Sequence, residues 1–277
     1  MNERKLRVAA AQINPALMDV EKNLYKIERY IEEAALKENA KLVVFPECAL
    51  TGYVLNFNEV KEVAEAIPGQ STKKLEAFCK RLNVWVAVGL VEKSSNKYYN
   101  TAVLISPNGI EAKYRKTHLP YQGLDKFVNK GDLIQTIDTP IGKLGLAICY
   151  DIFFPETARV LTLMNVELLI VLANWAEGVE FYTNYLVQTR AVENHINLIA
   201  VNRVGEERGF KFYGESIIIN CFGKPLIKAN KNEEMIITAE VNLNEAHNKH
   251  IVRIPGVWEV NCIKDRRTEL YKAICAI

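Results

Sequence analysis

Three short stretches of this chain place reactive side chains where strands are expected to end. "KLVVFPE" stops at Glu47, "AKYRKTHLP" carries Lys116, and "LGLAICYD" turns at Cys149. A carboxylate, an amine and a thiol together can perform nucleophilic acyl chemistry. The thiolate attacks, a base takes its proton, and a cation steadies the charge that develops. Each residue alone has a plainer reading. Glu47 would be a surface or hydrogen-bonding acid, and Lys116 a solvated charge in the basic run Lys113 to Lys116. Cys149 would be a small apolar filler. The set carries more than its members, because reactive groups in layered α/β proteins collect where strands end and loops begin.

Elements able to position these residues alternate along the whole chain. Leu6 to Ile13 reads as a strand, and Asp19 to Lys37 has Leu24, Ile27, Ile31 and Ala34 at helical spacing. Ser71 is read as the N-cap of a helix to about Leu82, with Leu75 and Phe78 inward. "VWVAVGLVE" and "TAVLISPNG" look like paired strands, and Pro107-Asn108-Gly109 predicts a turn into "IEAKYRK". "LIQTIDT" and "KLGLAIC" follow as strands joined by a short turn at Pro140-Ile141-Gly142. The second half predicts a helix from Pro155 to Met164 and the strand "ELLIVLAN". A longer helix, about Glu180 to Asn197, is expected to turn Phe181, Tyr185, Val192 and Ile196 inward. "LIAVNRVG", "KFYGESIIIN", "GKPLIKA" and "EMIITAEVN" are further strands.

Residues 247–277 have little periodicity and read as an extended tail that packs at a subunit interface. With no linker or repeat, residues 1–277 read as one domain. Several strands are apolar at nearly every position, as when both faces of a sheet are covered. That pattern fits two central sheets between two helical layers, and a single doubly wound sheet would fit it too.

Composition narrows the function. The 277 residues are 49% hydrophobic and 25% charged, with a formal net charge of +2. That is the balance of an ordinary globular chain. It points to neither nucleic acid nor an anionic membrane as partner. With no signal-peptide h-region and no stretch of roughly 20 apolar residues, a cytoplasmic protein is expected. The six cysteines, Cys48, Cys79, Cys149, Cys221, Cys262 and Cys275, form no C-x-x-C pair and are expected to be free. No H-E-x-x-H motif is present, and a zinc site is not expected.

The motifs "FPECALTGY", "YRKTHLP" and "CYDIFFPE" resemble those of the nitrilase superfamily of carbon–nitrogen hydrolases. "AAAQINP", "LANWA", "RAVENHINLIAVNRVG" and "KDRR" extend the resemblance over nearly the whole chain. The resemblance implies an α/β fold, the four-layer α-β-β-α sandwich, which usually dimerises. It implies hydrolysis of a non-peptide C–N bond without metal or cofactor. Cys149 is then the nucleophile, Glu47 the general base and Lys116 the stabiliser of the tetrahedral intermediate. The Tyr150 backbone N–H would complete the oxyanion hole with Lys116.

Many members add a second glutamate after the lysine. Here that loop reads "THLPYQGLDKFVNKGD", and Asp125 is its nearest acid, read as orienting Lys116 or the leaving group. His118 is read as a loop anchor and His195 as a packed or surface residue. Asp151 is read as bonding backbone at the turn, and Glu156 as suiting the first turn of a helix.

Members that grip a substrate carboxylate often carry arginine three or four positions past the cysteine. Those positions are Ile152 and Phe153 here, which points to a neutral substrate. Tyr53, Phe153, Asn174 and Trp175 would offer an aromatic pocket with an amide edge. "CYD" in place of "CWE" resembles the amidase and carbamoylase branches, while "NRVGEERGFKFYG" resembles compact nitrilases. The reading is a small-amide hydrolase, with nitrilase and N-carbamoyl amine hydrolase as alternatives. An inactive scaffold of the same fold is the further alternative.

Overall fold

The layering is set by how β1 (Lys5–Gln12) divides its side chains. Successive residues of a strand point to opposite faces. Leu6, Val8 and Ala10 join one core, while Ala9 and Ala11 pack with Leu24, Ile27 and Ile31 of α1 (Val20–Leu36). One face of β1 therefore meets a helix and the other meets a second sheet. The computed structural model describes residues 4–275. The first three residues of the expected domain and the last two of the expected tail lie outside the described residues.

The first half continues with β2 (Leu42–Val44), α2 (Phe57–Val63), α3 (Gln70–Leu82), β3 (Trp85–Ser94), β4 (Lys97–Ser106) and β5 (Gly109–Arg115). The second half holds β6 (Thr136–Thr139), β7 (Gly142–Ile148), α4 (Pro155–Leu163), β8 (Leu168–Leu172), α5 (Val187–Asn194) and β9 (Asn197–Val201). A hairpin of β10 (Val204–Glu207) and β11 (Phe210–Tyr213) leads to β12 (Ile217–Ile219), β13 (Pro225–Lys228), β14 (Met235–Asn242) and α6 (Leu243–His247). A second hairpin, β15 (His250–Ile254) and β16 (Trp258–Asn261), follows.

Two six-stranded sheets result, in the orders β14-β1-β2-β3-β4-β5 and β13-β12-β9-β8-β7-β6. Their central strands are parallel, as expected where helices make the crossovers. Between the sheets, Val8, Val44 and Leu104 share a core with Leu146, Ile148 and Ile170. Outside, α1 and α3 cover the first sheet, and Ala158 and Leu161 of α4 and Ala191 of α5 join the core of the second. This is the α-β-β-α sandwich, and the single doubly wound sheet is excluded. All six cysteines are free. No helix among the described residues is long and apolar enough to cross a membrane.

Several expectations need correction. The helix expected from Ser71 is capped by Gly69 and begins at Gln70, with Thr72 bonding back to the Gly69 N–H. Cys79 takes the inward position expected of Phe78, which is half-buried. The strand expected from "LIQTIDT" begins only at Thr136. The expected helix 180–197 is broken into a π-helical turn, Tyr182–Leu186, and α5. A π turn closes one residue later than an α turn. Here it shifts the inward stripe to Tyr182, Val187 and Ala191 and leaves Phe181, Tyr185 and Val192 exposed. Ile196 is buried, but just beyond the helix. The C-terminal tail is not simply extended, since it contains the β15–β16 hairpin.

Candidate active site

Glu47 follows the end of β2, Lys116 directly follows β5, and Cys149 directly follows β7. The first two strands belong to one sheet and the third to the other, so the residues meet where the sheets abut. Lys116 is fully buried and Glu47 is 1% exposed. Lys116 Nζ donates to Glu47 Oε1 at 2.7 Å and to Asp125 Oδ2 at 2.6 Å. Asp125 lies on the 3₁₀ turn Gly123–Lys126 and also accepts the Tyr53 hydroxyl at 2.9 Å.

A neutral side chain closes this cluster. Asn100 Nδ2 donates to Glu47 Oε1 at 2.7 Å and to Asp125 Oδ1 at 3.0 Å. Sequence reasoning missed Asn100; its one signal was an amide at the head of the largely apolar stretch "NTAVLIS". Glu47 Oε2 is buried and has no protein partner. Such an atom costs stability unless a ligand or a proton satisfies it.

Cys149 has φ 47°, in the left-handed region that β-carbon-bearing residues rarely adopt. Strain of this kind is found where a site holds it in place. Asp151 is the brace. It accepts from the Ile148 N–H, the Tyr114 and Thr117 hydroxyls, and the His118 N–H. Asp151 thus bonds backbone at the turn, and His118 ties down the loop that follows Lys116. A 3₁₀ turn opens at Cys149, so the Tyr150 N–H has no acceptor behind it within the turn. Glu156 lies in the first turn of α4, and His195 is buried at the end of α5.

Electrostatics give these groups distinct states. Burial raises the Glu47 carboxyl above its ordinary value, with Lys116 opposing the rise. Burial and the Glu47 charge push the Cys149 thiol well up, so it is protonated at neutral pH and needs a base. Burial works against the Lys116 charge, but Asp125 and Glu47 outweigh it and hold the ammonium well above the usual lysine value. A cation, a basic carboxylate and a thiol therefore share a buried site.

The surrounding wall is aromatic. Trp175 stacks on Tyr182 with ring centroids 4.8 Å apart, and Phe153 lies 6.4 Å from Tyr182. Asn202 fixes Trp175 by bonding both its N–H and its carbonyl. Tyr182, on the π turn, was not foreseen as part of this wall. Asn174 Nδ2 is committed to the Glu47 carbonyl at 2.9 Å, while Asn174 Oδ1 and Trp175 Nε1 are buried without protein partners. Phe153 is half-exposed at the rim.

The family model of carbon–nitrogen hydrolases matches residues 7–249. The chain belongs to that family. It is therefore a hydrolase of the nitrilase superfamily. This hydrolase is 39% identical to a nitrilase of Pyrococcus abyssi, over 96% of its length and 99% of the relative's. It is 34% identical to an (R)-stereoselective amidase of a Pseudomonas species, over 76% of each chain. The carbon–nitrogen hydrolase of Helicobacter pylori G27 superposes with a TM-score of 0.85 at 26% identity, with each chain fully covered.

Proposed function

We propose that the hydrolase cleaves a small neutral amide through a thioester on Cys149. The observation that carries this reading is the buried, unpartnered Glu47 Oε2, in a cluster whose charge raises the Cys149 thiol and whose other Glu47 oxygen is tied to Lys116. Glu47 takes the thiol proton as sulfur attacks the carbonyl carbon, and the C=O pair moves onto oxygen. Lys116 and the Tyr150 N–H hold that oxyanion; losing one such donor typically costs about 3–4 kcal/mol in the transition state. Collapse breaks the C–N bond, and Glu47 returns the proton to the departing amine or ammonia. Glu47 then deprotonates water, which attacks the thioester. Loss of the thiolate gives the acid, and the thiolate recovers its proton. Asp125 orients Lys116 throughout.

A neutral substrate is supported by the aromatic wall and by the use made of Arg190. Its guanidinium bonds the Ile152 and Phe153 carbonyls and Glu193, leaving no free fork for a substrate carboxylate there. Nitriles are the second reading, favoured by the 39% identity to the Pyrococcus abyssi nitrilase. Ammonia release from matched aliphatic amides and nitriles decides between them. Turnover of amides supports the proposal, and turnover of nitriles alone overturns it. An N-carbamoyl amine in the same panel tests the third substrate class.

We also infer a homodimer. Leu163 and Met164 at the end of α4, Tyr185 and Val192 are exposed, as are Val257 and Trp258 near the terminal hairpin. Apolar exposure on this scale suits a subunit interface. A monomer mass by analytical ultracentrifugation at micromolar concentration overturns that inference.

A further inference from the structure

We infer that Asn100 is a positioning residue of this site, fixing one oxygen each of Glu47 and Asp125 and leaving the second Glu47 oxygen free to act as the base. The inference rests on the proposed role of Glu47.

The hydrogen-bond pattern is a closed ring. Lys116 joins Glu47 to Asp125 on one side, and Asn100 joins the same two carboxylates on the other. Lys116 alone would bring two carboxylates together but would leave each free to rotate about its bond. The second donor pins Glu47 Oε1 from another direction and holds the other Asp125 oxygen, which restricts both carboxylates. Both N–H bonds of the Asn100 carboxamide are used, and its oxygen accepts from Cys48 Sγ at 3.4 Å. The amide orientation is therefore fixed from three sides. The Asn100 carbonyl also accepts the Lys116 N–H at 2.8 Å, so one residue registers the base, its partner acid and the cation.

A neutral donor suits this position. Asparagine has two N–H bonds on one atom and adds no charge. A second cation here would bind both carboxylates harder and weaken Glu47 as a base. An acid would repel both. Asn100 is fully buried behind Glu47 and Asp125, so water cannot replace its donors without a cavity.

The groups facing Glu47 are Lys116 from the end of β5, Asp125 from the 3₁₀ turn, Cys149 from the end of β7, and Cys48 and Tyr53 from its own loop. Removing the Asn100 amide adds no charge among these groups; it takes one donor from Glu47, one from Asp125 and the acceptor of Cys48. One bond that favours ionised Glu47 is lost, and the carboxyl keeps its proton to higher pH. The acidic limb of kcat/KM then moves upward.

The experiment compares Asn100→Ala, Asn100→Asp and Glu47→Gln. Steady-state kinetics are recorded across pH, with the rate of Cys149 alkylation by iodoacetamide measured by intact mass. Circular dichroism and thermal midpoint monitor folding. For Asn100→Ala the expected result is a kcat lower by about 100-fold, as for a misplaced reacting group. KM should stay within about threefold, since Asn100 does not touch substrate, and both acidic limbs should move up by about one pH unit. Asn100→Asp keeps the shape and should move them further. A loss of kcat with unmoved limbs overturns the inference, as does a rise in KM at unchanged kcat. Failure of both Asn100 variants to fold also overturns it, making the amide a structural residue. An active Glu47→Gln sinks the base reading itself. An inactive Glu47→Gln beside an unshifted Asn100→Ala sinks the Asn100 inference alone.

Discussion

Asp125 Oδ2 accepts a hydrogen bond from Lys116 Nζ at 2.6 Å, and both side chains are fully buried. Aspartate is a methylene shorter than glutamate, yet this one reaches the lysine. Gly123 explains how. Its φ is +50°, and a Cβ there would lie 2.6 Å from the Tyr53 ring. The turn can therefore press against Tyr53, which carries Asp125 close to the lysine. Asp125→Asn should lower kcat by about 100-fold, because Lys116 loses a counter-charge and its orientation. Asp125→Glu should not serve as a neutral replacement, since the extra methylene overfills a closed site. Full activity in Asp125→Glu would show that the turn yields.

Much of this arrangement was legible beforehand. Glu47, Lys116 and Cys149 stand out because each is polar chemistry at the end of an expected strand, and strand ends converge in a layered sandwich. Asn100 was not legible. It lies mid-strand, and only the pairing of β4 with β5 and the packing of the Glu47 loop over it reveal its partners. Tyr182 was hidden for another reason. An i, i+3, i+4 stripe assumes one helical period, and the π turn breaks that period.

The pH response follows from burial. In the proposed reaction Glu47 acts as a carboxylate, and burial raises its carboxyl above the ordinary glutamate value. Activity should therefore fall as pH drops through that raised value, at a higher pH than an exposed glutamate would give. The Cys149 thiol is also pushed up, so alkylation near neutrality should depend on Glu47. Glu47→Gln should slow iodoacetamide labelling of Cys149 by about 100-fold. Equal labelling rates in both proteins would show that the thiolate forms without it.

Gly89 tests the coupling between sheet and site. A Cβ at this position would lie 2.4 Å from the Cys48 backbone nitrogen and 3.0 Å from Glu47 Cα. Only glycine lets the Glu47 loop lie directly on β3. Gly89→Ala should displace that loop, lowering kcat by about 100-fold and stability by about 1–3 kcal/mol. Thermal unfolding and kinetics on the same sample check both, and unchanged kcat would show that the loop is not seated by this contact.

Tyr182 should govern selectivity rather than rate. Its ring is 6% exposed and stacks between Trp175 and Phe181. Tyr182→Leu keeps an apolar side chain but removes the flat face. KM for amides with aromatic or branched side chains should rise about tenfold, worth about 1.4 kcal/mol, with kcat within about threefold. A uniform loss of kcat across short and long amides would instead place the ring in the chemistry.

Glu207 holds the far side of the site. One oxygen pairs with the fully buried Arg203, and the other accepts the Tyr53 and Val54 N–H groups at 3.0 and 2.9 Å. Tyr53 in turn bonds Asp125, so the pair reaches the cluster through one side chain. Glu207→Gln keeps an acceptor for the loop but strands the guanidinium without a counter-charge. Breaking a buried pair on one side costs about 3–5 kcal/mol, and the urea midpoint should fall accordingly. The paired change Arg203→Met with Glu207→Gln should recover part of that loss, because the buried charge goes with its partner. If the double variant is no more stable than Glu207→Gln, the guanidinium's bonds to Asn14 and Pro15 outweigh the cost of stranding it.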